Sequence, residues 1–492
     1  MDSADASAKS SHLMWWCLGL LAVCAAFISA GYVYSNWLGQ KDLDAFHAKF
    51  KALGYETNLK KIYSRQIPDE DNFFKHPAVQ AELVAPEKSR INWLIRDKLK
   101  AVAPKSRSTS HWSELTESTD ITKWGYGEAG ASPKEIADGL LTELTPEIER
   151  LRKIRKAFSR PDHQMSYSWE PYQGIETPRA EEMFLINSLY FSEGRLALFH
   201  AFSENREEFF KCIESQFSCF QLTQSEPPGF LSFLIQTSII RSIAGNIKDA
   251  LSLNDRSDDE YLALEEILSL FDLGSDFEKA YYGEMAWSFL LNRVALFAQP
   301  HDPIESWEWN VEEIWGNFKS TVRSLRPNGI AATKHVRARE ISLEHFARGT
   351  NRFTRPISGE DYQYFETLCG QTSDVETIHW GFLHRMIERY IQDHSLIHLL
   401  RTEIALRRYH LKHGNYPKSL DALAPEFLPS VLEDPYDRKP LRYRWNDAHS
   451  VILWAIGTDG VDNSATPLKK TNDKVGDLVR EIHGTPVSSP AH

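Results

Sequence analysis

The sequence predicts a mainly α-helical protein with an N-terminal transmembrane helix, an irregular, solenoid-like body of many helices, and a small C-terminal α+β module with a short antiparallel sheet. Three observations carry this prediction. Residues 13–38 form one long apolar run, the central sequence repeats apolar residues every three or four positions, and two short alternating segments follow near the C-terminus.

The composition of the 492-residue chain excludes several classes of protein. Its formal net charge is −12, and an acidic chain lacks the basic face of a nucleic-acid-binding protein, so no nucleic-acid partner is expected. Hydrophobic residues make up 42% of the chain, which indicates a folded globular protein. The mean hydropathy of −0.42 excludes a membrane protein with many spans but is compatible with one.

Residues 13–38 carry no charged side chain and are long enough to cross a bilayer. As a helix they measure about 39 Å, against a hydrocarbon thickness of about 30 Å. Trp15 and Trp16 lie near one end, and Tyr32, Tyr34 and Trp37 lie near the other, as aromatic residues do at membrane interfaces. The run therefore predicts an uncleaved membrane anchor.

Two other interpretations of this apolar run stay open. A cleaved signal peptide is one, although the apolar part of such peptides usually has only about 7–15 residues. A lipoprotein modified at Cys24 is the other, although Val23 occupies a position where a small residue is expected. The orientation is also open, since one basic residue, Lys9, precedes the run and Lys41, Lys49 and Lys51 follow it, a distribution that favours a cytoplasmic bulk.

Changes in composition divide the chain into six parts. They are an N-terminal tail (1–12), the anchor (13–38), a lead-in of mixed helix and loop (39–176), a helical domain (177–390), the α+β module (391–484) and a disordered tail (485–492). Within the lead-in, residues 42–53 and 87–101 are predicted helices, and an aromatic- and Pro-rich loop is predicted at 159–176.

Helix starts in the chain carry recognisable capping patterns. Ser132, Pro133 and Glu135 form a capping box with Pro at the first helical position, and Thr-Pro pairs at 145–146 and 177–178 predict two further starts. The acidic run at 255–260 could be a cation-binding loop, but capping of the next helix is the favoured interpretation. Helical periodicity is clearest at 183–202, 209–222, 231–253, 261–271, 277–297 and 311–325.

Five cysteines do not form a disulfide framework. Cys17 and Cys24 lie within the apolar run, and Cys212 and Cys219 lie about 10.5 Å apart along a predicted helix, too far for a bridge. Cys369 could pair with either, but buried free thiols are the favoured interpretation.

No catalytic constellation is recognisable in the sequence. His394 and His398 lie one helical turn apart, a spacing that can present two imidazoles to zinc, but the Glu that a zincin motif needs after its first His is missing. Trp307, Trp309 and Trp315 could line a sugar-binding surface, although packing between helices is favoured.

The C-terminal hundred residues carry the most information. A long helix is predicted at 377–412, followed by a Gly-containing turn, and alternating segments at 441–445 and 451–456 predict two strands joined by a hairpin loop at 446–449. The chain then has a Gly-Thr-Asp-Gly segment at 457–460 and a Gly-Asp pair at 476–477.

These residues, over about 395–482, resemble the globular part of the type II secretion major pseudopilin. The matching motifs, in order, are Gly-x-Tyr-Pro at 414–417, Asp-Pro to Tyr at 434–443, Gly-x-Asp-Gly at 457–460, and the terminal Asp477. In that family the last loop binds calcium, so the resemblance implies Asp459 and Asp477 as metal ligands, with Asp462 and Asp473 as further candidates. A cluster of carboxylates suits calcium, which accepts six to eight oxygen ligands. A plain acidic turn is the alternative, since the loop also contains lysines.

The chain departs from the pseudopilins at its N-terminus. It has no prepilin-peptidase site before its apolar run and no Glu within that run, so it is not an ordinary pilus subunit. The chain resembles a family of uncharacterised membrane-anchored bacterial envelope proteins, which combine an N-terminal anchor, a large helical body and a pseudopilin-like tail. Residues 187–284 resemble the helical region of that family. That resemblance implies no activity.

The resemblance implies a single-pass protein of the bacterial inner membrane whose bulk is periplasmic. We expect it to act as a binding or scaffold protein for other envelope proteins, related to type II secretion or a pilus-like system. The alternative is a metal-dependent envelope hydrolase that uses His394 or His398. The sequence identifies no small-molecule substrate.

Overall fold

The computed structural model shows a mainly helical chain with a small three-stranded antiparallel sheet near its C-terminus. The mainly α prediction is therefore confirmed. The structure describes residues 3–55, 67–100, 121, 126, 130–164, 168–172, 175–179, 181–224, 229–253, 256–297, 328–347, 353, 355–371, 375–468 and 475–484.

The first helix, α1 (Ser3–Ala52), is longer than predicted. The helix predicted at 42–53 is confirmed to Ala52, but it is not a separate element, because the chain continues without a break from the apolar run into the folded body. Leu43, Phe46 and Phe50 of α1 are buried in the core. Phe50 packs against Tyr282, with ring centroids 6.2 Å apart. The second half of α1 is thus part of the body.

The lead-in consists of short helices. The α-helices are α2 (Pro77–Leu83), α3 (Ile91–Lys100), α4 (Pro133–Glu143) and α5 (Thr145–Arg155), with 3₁₀ turns at Phe73–Lys75, Glu87–Ser89 and Lys156–Ser159. The capping box at Ser132 and Glu135 is confirmed. The helix start at the 145–146 Thr-Pro pair is confirmed, but Leu144 and not Thr145 occupies the cap position, and the Thr145 hydroxyl donates back to the carbonyl of Thr142.

The loop predicted at 159–176 is partly wrong, because it contains most of a β-hairpin. Strand β1 (Ser168–Tyr172) pairs antiparallel with β2 (Ile175–Arg179). The helix start predicted at the 177–178 Thr-Pro pair is also wrong, since both residues belong to β2 and the next helix begins at Glu181. Pro178 fits here because a two-stranded sheet has only edge strands.

The helical body follows the predicted order. Its helices are α6 (Glu181–Phe202), α7 (Arg206–Gln224), α8 (Phe230–Leu253), α9 (Asp258–Ser269), α10 (Leu273–Phe297), α11 (Asn328–Ala347) and α12 (Gly359–Gln371). Ser257 caps α9 in a capping box with Glu260, so the helix-cap interpretation of the acidic run is confirmed for the described residues 256–260. The helix predicted at 311–325 lies outside the described residues.

The body does not stack like a solenoid, in which each repeat contacts only its neighbours. The Thr333 hydroxyl on α11 donates to Asp42 on α1 (2.9 Å), although 291 positions separate them. A single hydrophobic cluster extends from Leu43 to Ile456. Aromatic side chains from distant helices close this core, for example Phe277 against Phe346 and Tyr390.

One described helix, α8, is long and apolar enough to cross a membrane, and most of its length is buried within the protein. Its buried side chains include Phe233, Ile240 and Ile247. This pattern is that of a core helix. In α1, side chains are described at 16, 19, 20 and from 22 onward, and the structure does not by itself place this helix in a membrane.

The long helix α13 (Val375–His413) leads into the C-terminal module and confirms the prediction for 377–412. Strands β3 (Arg442–Asp447) and β4 (Ser450–Ala455) confirm the two predicted strands; β3 extends into the predicted hairpin loop, and β4 begins one residue before its predicted start. A third strand, β5 (Leu478–His483), pairs antiparallel with β4, giving the order β3-β4-β5. A 3₁₀ turn, Leu420–Leu423, follows the turn after α13. Since α13 is continuous across residue 390, it belongs to both body and module.

Cysteine placement agrees with the prediction of free thiols. Cys212 and Cys219 are buried on α7, Cys369 is partly buried on α12, and Cys24 is exposed. All four are free. Burial raises the pKa of Cys212 and Cys219 well above that of an ordinary thiol, so these two groups stay protonated.

A buried ion-pair triad joins α13 to the sheet. Glu403 is fully buried and accepts hydrogen bonds from Arg407, one turn along α13, and from Arg480 of β5. The Arg407 Nη2–Glu403 Oε1 and Arg480 Nε–Glu403 Oε2 distances are 3.0 and 2.7 Å. Lys248 of α8 lies nearby, 3.7 Å from Asp249, and burial lowers its pKa to about 8. The triad therefore concentrates charge where body and module meet.

We predict that Glu403→Gln destabilises the protein by about 3–5 kcal/mol, because it leaves two buried guanidinium groups without a countercharge. Urea unfolding of the full chain in detergent, followed by far-ultraviolet circular dichroism, measures this loss.

The matched control is Glu426→Gln. Glu426 also pairs with a cation, Lys412, but both side chains are more than half exposed. We expect this variant to change stability by less than about 1 kcal/mol. Equal losses in the two variants would contradict the structural role assigned to Glu403.

Candidate functional site

The candidate site is the acidic loop between β4 and β5. The structure brings Asp459, Asp462 and Asp477 together around Asn463, and it places Asp477 directly before β5. Asp473 lies outside the described residues. Three of the four residues predicted as metal ligands are therefore neighbours in space.

Asp477 organises the loop through backbone hydrogen bonds. Its side chain is fully buried. The amide of Asn463 donates to Oδ1 (3.2 Å), and the amide of Ala465 donates to Oδ2 (2.9 Å). Ser464 and Ala465 have positive φ angles of 57° and 66°, so the carboxylate stabilises a turn that their side chains disfavour.

The other two carboxylates also accept hydrogen bonds from within the module. Asp459 accepts from the amide of Val461 (3.1 Å) and the side-chain amide of Asn463 (2.9 Å). Asp462 accepts from the indole N–H of Trp454 (3.0 Å). It also accepts from the Ser464 amide (2.9 Å).

The pKa values of Asp477 and Asp462 are shifted in opposite directions. Burial, reinforced by Asp462 and Asp459, raises the pKa of Asp477 above that of an ordinary aspartate. The hydrogen bond from Trp454 is the main cause that lowers the pKa of Asp462. The carboxylates of Asp459, Asp462 and Asp477 therefore repel one another, as carboxylates do in a cation site, but N–H groups that donate to them offset this repulsion.

The described carboxylates are engaged by N–H donors of the protein. Both oxygens of Asp477 and both oxygens of Asp459 already accept N–H donors, whereas calcium needs oxygen lone pairs that converge on one point. Among the described residues, no group of three or more His, Cys, Asp or Glu side chains is arranged to hold a metal. The calcium site stays a prediction from the resemblance.

A second buried carboxylate, Asp434, was not identified as a site residue from the sequence. One oxygen accepts from the Tyr436 amide (2.9 Å), and the other accepts from the Ile456 amide (2.8 Å) and from Arg442 (2.5 Å). Burial raises the pKa of Asp434 to about 6. Asp437 also pairs with Arg442 (2.5 Å). In the sequence, Asp434 could have been singled out because it begins the Asp-Pro motif at 434–443.

Tyr436 connects the site to the body. Its ring lies between Gly359, at the start of α12, and Gly460 in the acidic loop. A Cβ atom at Gly359 would lie under 3 Å from the ring, and one at Gly460 would lie 2.8 Å from the hydroxyl. Gln363 of α12 donates to that hydroxyl (3.1 Å). These two glycines therefore allow the module to pack against the body.

The two histidines of the hydrolase alternative lie side by side on α13, with ring centroids 4.4 Å apart. His394 Nδ1 lies 3.2 Å from the Tyr390 hydroxyl, and His398 Nδ1 donates to the Glu433 carbonyl (2.6 Å). Burial lowers the pKa of His394 well below its usual value and lowers that of His398 to about 4. Two neutral, partly buried rings that are engaged in hydrogen bonds do not form an open metal site.

The tryptophans at 307, 309 and 315 lie outside the described residues.

No protein-family profile, no curated protein and no solved structure matches this chain. The resemblance to the pseudopilins and to the envelope family thus stays a prediction from the motifs quoted above.

We predict that Asp477→Asn destabilises the protein by about 1–3 kcal/mol, equally in calcium and in a calcium chelator. The reason is that Asn can accept one of the two backbone donors but presents its own N–H groups to the other. Thermal unfolding of both proteins, with calcium chloride or with EGTA, measures the effect.

Glu481→Gln serves as the control, because Glu481 is exposed on the strand that follows Asp477. It should leave the melting temperature unchanged. A melting temperature that rises with calcium in the wild type but not in Asp477→Asn would instead establish the metal site that the resemblance implies.

The partly buried histidines His394 and His398 predict acid sensitivity. The folded-state pKa of His398, about 4, lies below the unfolded value of about 6.5, so stability falls as the pH drops from 6.5 towards 4. His398→Asn can retain a donor to the Glu433 carbonyl without titrating. We therefore expect its melting temperature to fall less than that of the wild type between pH 7 and pH 5. Parallel decreases in the two proteins would contradict this assignment.

Proposed function

We propose that the chain is a single-pass protein of the bacterial inner membrane, anchored by residues 13–38 of α1, and that it acts by binding other envelope proteins rather than by catalysis. The helical body and the C-terminal module form the binding part.

The change of surface along α1 carries this proposal. Large apolar side chains are exposed at successive positions of its first half, including Trp16 (78% exposed) and Phe27 (76% exposed). From residue 39 onward one face is buried against the body, through Leu43, Phe46 and Phe50. Contiguous exposed apolar surface of this size marks an interaction with a membrane or a partner.

Length and chemistry favour the membrane over a protein partner. The described side chains at 16, 19, 20 and 22–31 are all exposed, so the surface is apolar around the whole helix and not along one stripe. A protein partner would cover one stripe, whereas lipid covers all sides. Tyr34 and Trp37, both mostly exposed, follow the apolar part as an interfacial belt would.

The unbroken helix favours an anchor that is retained. The chain passes from the apolar segment into the core within one helix, Ser3–Ala52. The same helix that would cross the bilayer therefore contributes to the fold of the body.

The periplasmic orientation and the link to type II secretion rest on the pseudopilin resemblance at 395–482. Basic residues after the apolar run favour the opposite orientation. Binding rather than catalysis is supported by the acidic loop and the His394–His398 pair, since both Asp477 oxygens and the Nδ1 atom of each histidine take part in hydrogen bonds that hold the structure.

We predict that full-length protein stays in the membrane fraction after alkaline extraction, and that protease added to spheroplasts digests the body. Leu20→Arg combined with Phe27→Arg should move the protein to the soluble fraction, because each charge at the centre of a span costs about 2.5–3.5 kcal/mol.

The matched control is Leu262→Arg combined with Leu270→Arg. These residues of the body are also exposed and apolar, so this variant should stay in the membrane. Extraction of the wild type by alkali would refute the anchor. Protection of the body in spheroplasts, with digestion after lysis, would place it in the cytoplasm and refute the periplasmic assignment.

A further inference from the structure

Helix α11 lies beside α1 and runs in the same direction. Two contacts define this register: Thr333 donates to Asp42 (2.9 Å), and Lys49 Nζ lies 4.0 Å from Glu340. In both contacts the residue numbers differ by 291, so the helices advance together along their axes.

This register shows which residue of α1 lies opposite each residue of α11 along the helix axis. The first residue of α11, Asn328, lies at the level of Trp37, and Ile330 lies at the level of residue 39. One residue advances a helix by about 1.5 Å, so Ile330 is about 3 Å beyond Trp37 along the axis. The folded body therefore begins beside α1 where the exposed aromatic residues end.

The side chains at this level suit a bilayer surface. Ile330 is 49% exposed, although it belongs to a helix that packs on the core through Val336 and Leu343. On α1, Trp37 is 55% exposed, and the ammonium group of Lys41 lies 5.4 Å from its ring. Aromatic and apolar side chains followed by a cation are typical of the interface between hydrocarbon and headgroups.

Charged residues begin one turn further from the apolar segment. On α11 the exposed Arg337 and the partly exposed Lys334 follow Ile330. Acidic residues are also present on α1: Asp42 accepts from Thr333, and Asp44 accepts from Gln40 (2.8 Å). The balance is weakly basic, which suits the headgroups of an anionic membrane.

We propose that the first turns of α11 form a second membrane contact, in which Ile330 enters the interfacial layer of the bilayer that α1 crosses. This inference rests on the proposed function of α1 as an anchor. Two contact points, held together by the α1–α11 packing, fix the tilt of the body relative to the membrane.

Spin labelling of the full chain in vesicles of phosphatidylethanolamine and phosphatidylglycerol tests this contact. The background carries Cys17→Ser, Cys24→Ser and Cys369→Ser, and the buried Cys212 and Cys219 are retained. Nitroxide is attached in turn at Ile330→Cys, at Glu344→Cys as the matched position further along α11, and at Leu20→Cys within the anchor. Collision rates with oxygen, which concentrates in lipid, and with a water-soluble nickel chelate report the depth of each label.

We expect the ratio of oxygen to nickel collisions to be highest at position 20, intermediate at 330, and several-fold lower at 344, which is exposed to water. Water-like values at both 330 and 344, with a lipid value at 20, would overturn the second contact and leave the anchor intact. A water-like value at 20 would overturn the anchor itself. A lipid value at 344 would also overturn the inference, because the register places that residue about 21 Å beyond Ile330.

Discussion

A single unbroken helix imposes the main constraint on this protein. The first half of α1 exposes apolar side chains on all sides, and its second half buries Phe46 and Phe50 in the main core. The interior of a continuous helix contains no flexible hinge, because its backbone N–H and C=O groups are hydrogen-bonded to one another along the helix. Whatever covers the apolar half is therefore coupled mechanically to the fold. A bilayer in that role would hold the body at a defined distance and angle.

A second long helix, α13, couples the body to the C-terminal module in the same way. Helix α13 contributes Tyr390 to the main core and Leu406 to the smaller core beneath the sheet. Glu403 lies between these two positions and accepts from both Arg407 and Arg480. A buried ion pair of this kind adds little net stability compared with apolar packing, but separating its partners leaves a buried charge uncompensated. It thus specifies how β5 sits against α13, and Tyr436 specifies how the acidic loop sits against α12.

Local sequence patterns predicted the individual helices and strands better than the contacts that join them. Ser132–Glu135 and Ser257–Glu260 signal helix starts because a capping box is complete within four residues. The spacing of apolar residues every three or four positions, which predicted α6 to α10, is also a local pattern. By contrast, Asp434, Glu403 and Arg480 acquire their roles from partners 8–77 positions away, which no local pattern encodes. The hairpin β1–β2 was missed because Thr-Pro marks a helix start or an edge strand equally well.

The acidic loop shows why residue type alone could not identify its chemistry. Aspartates at 459, 462 and 477 match the ligands that calcium prefers, and the structure does bring them together. Yet a carboxylate is also the strongest acceptor available for a turn whose amides point inward. The positive φ angles of Ser464 and Ala465 direct their amides towards Asp462 and Asp477. In the described loop, peptide N–H groups donate to the carboxylates and thereby hold the turn. A loop ordered in this way has a defined shape, which a surface for binding another molecule would require.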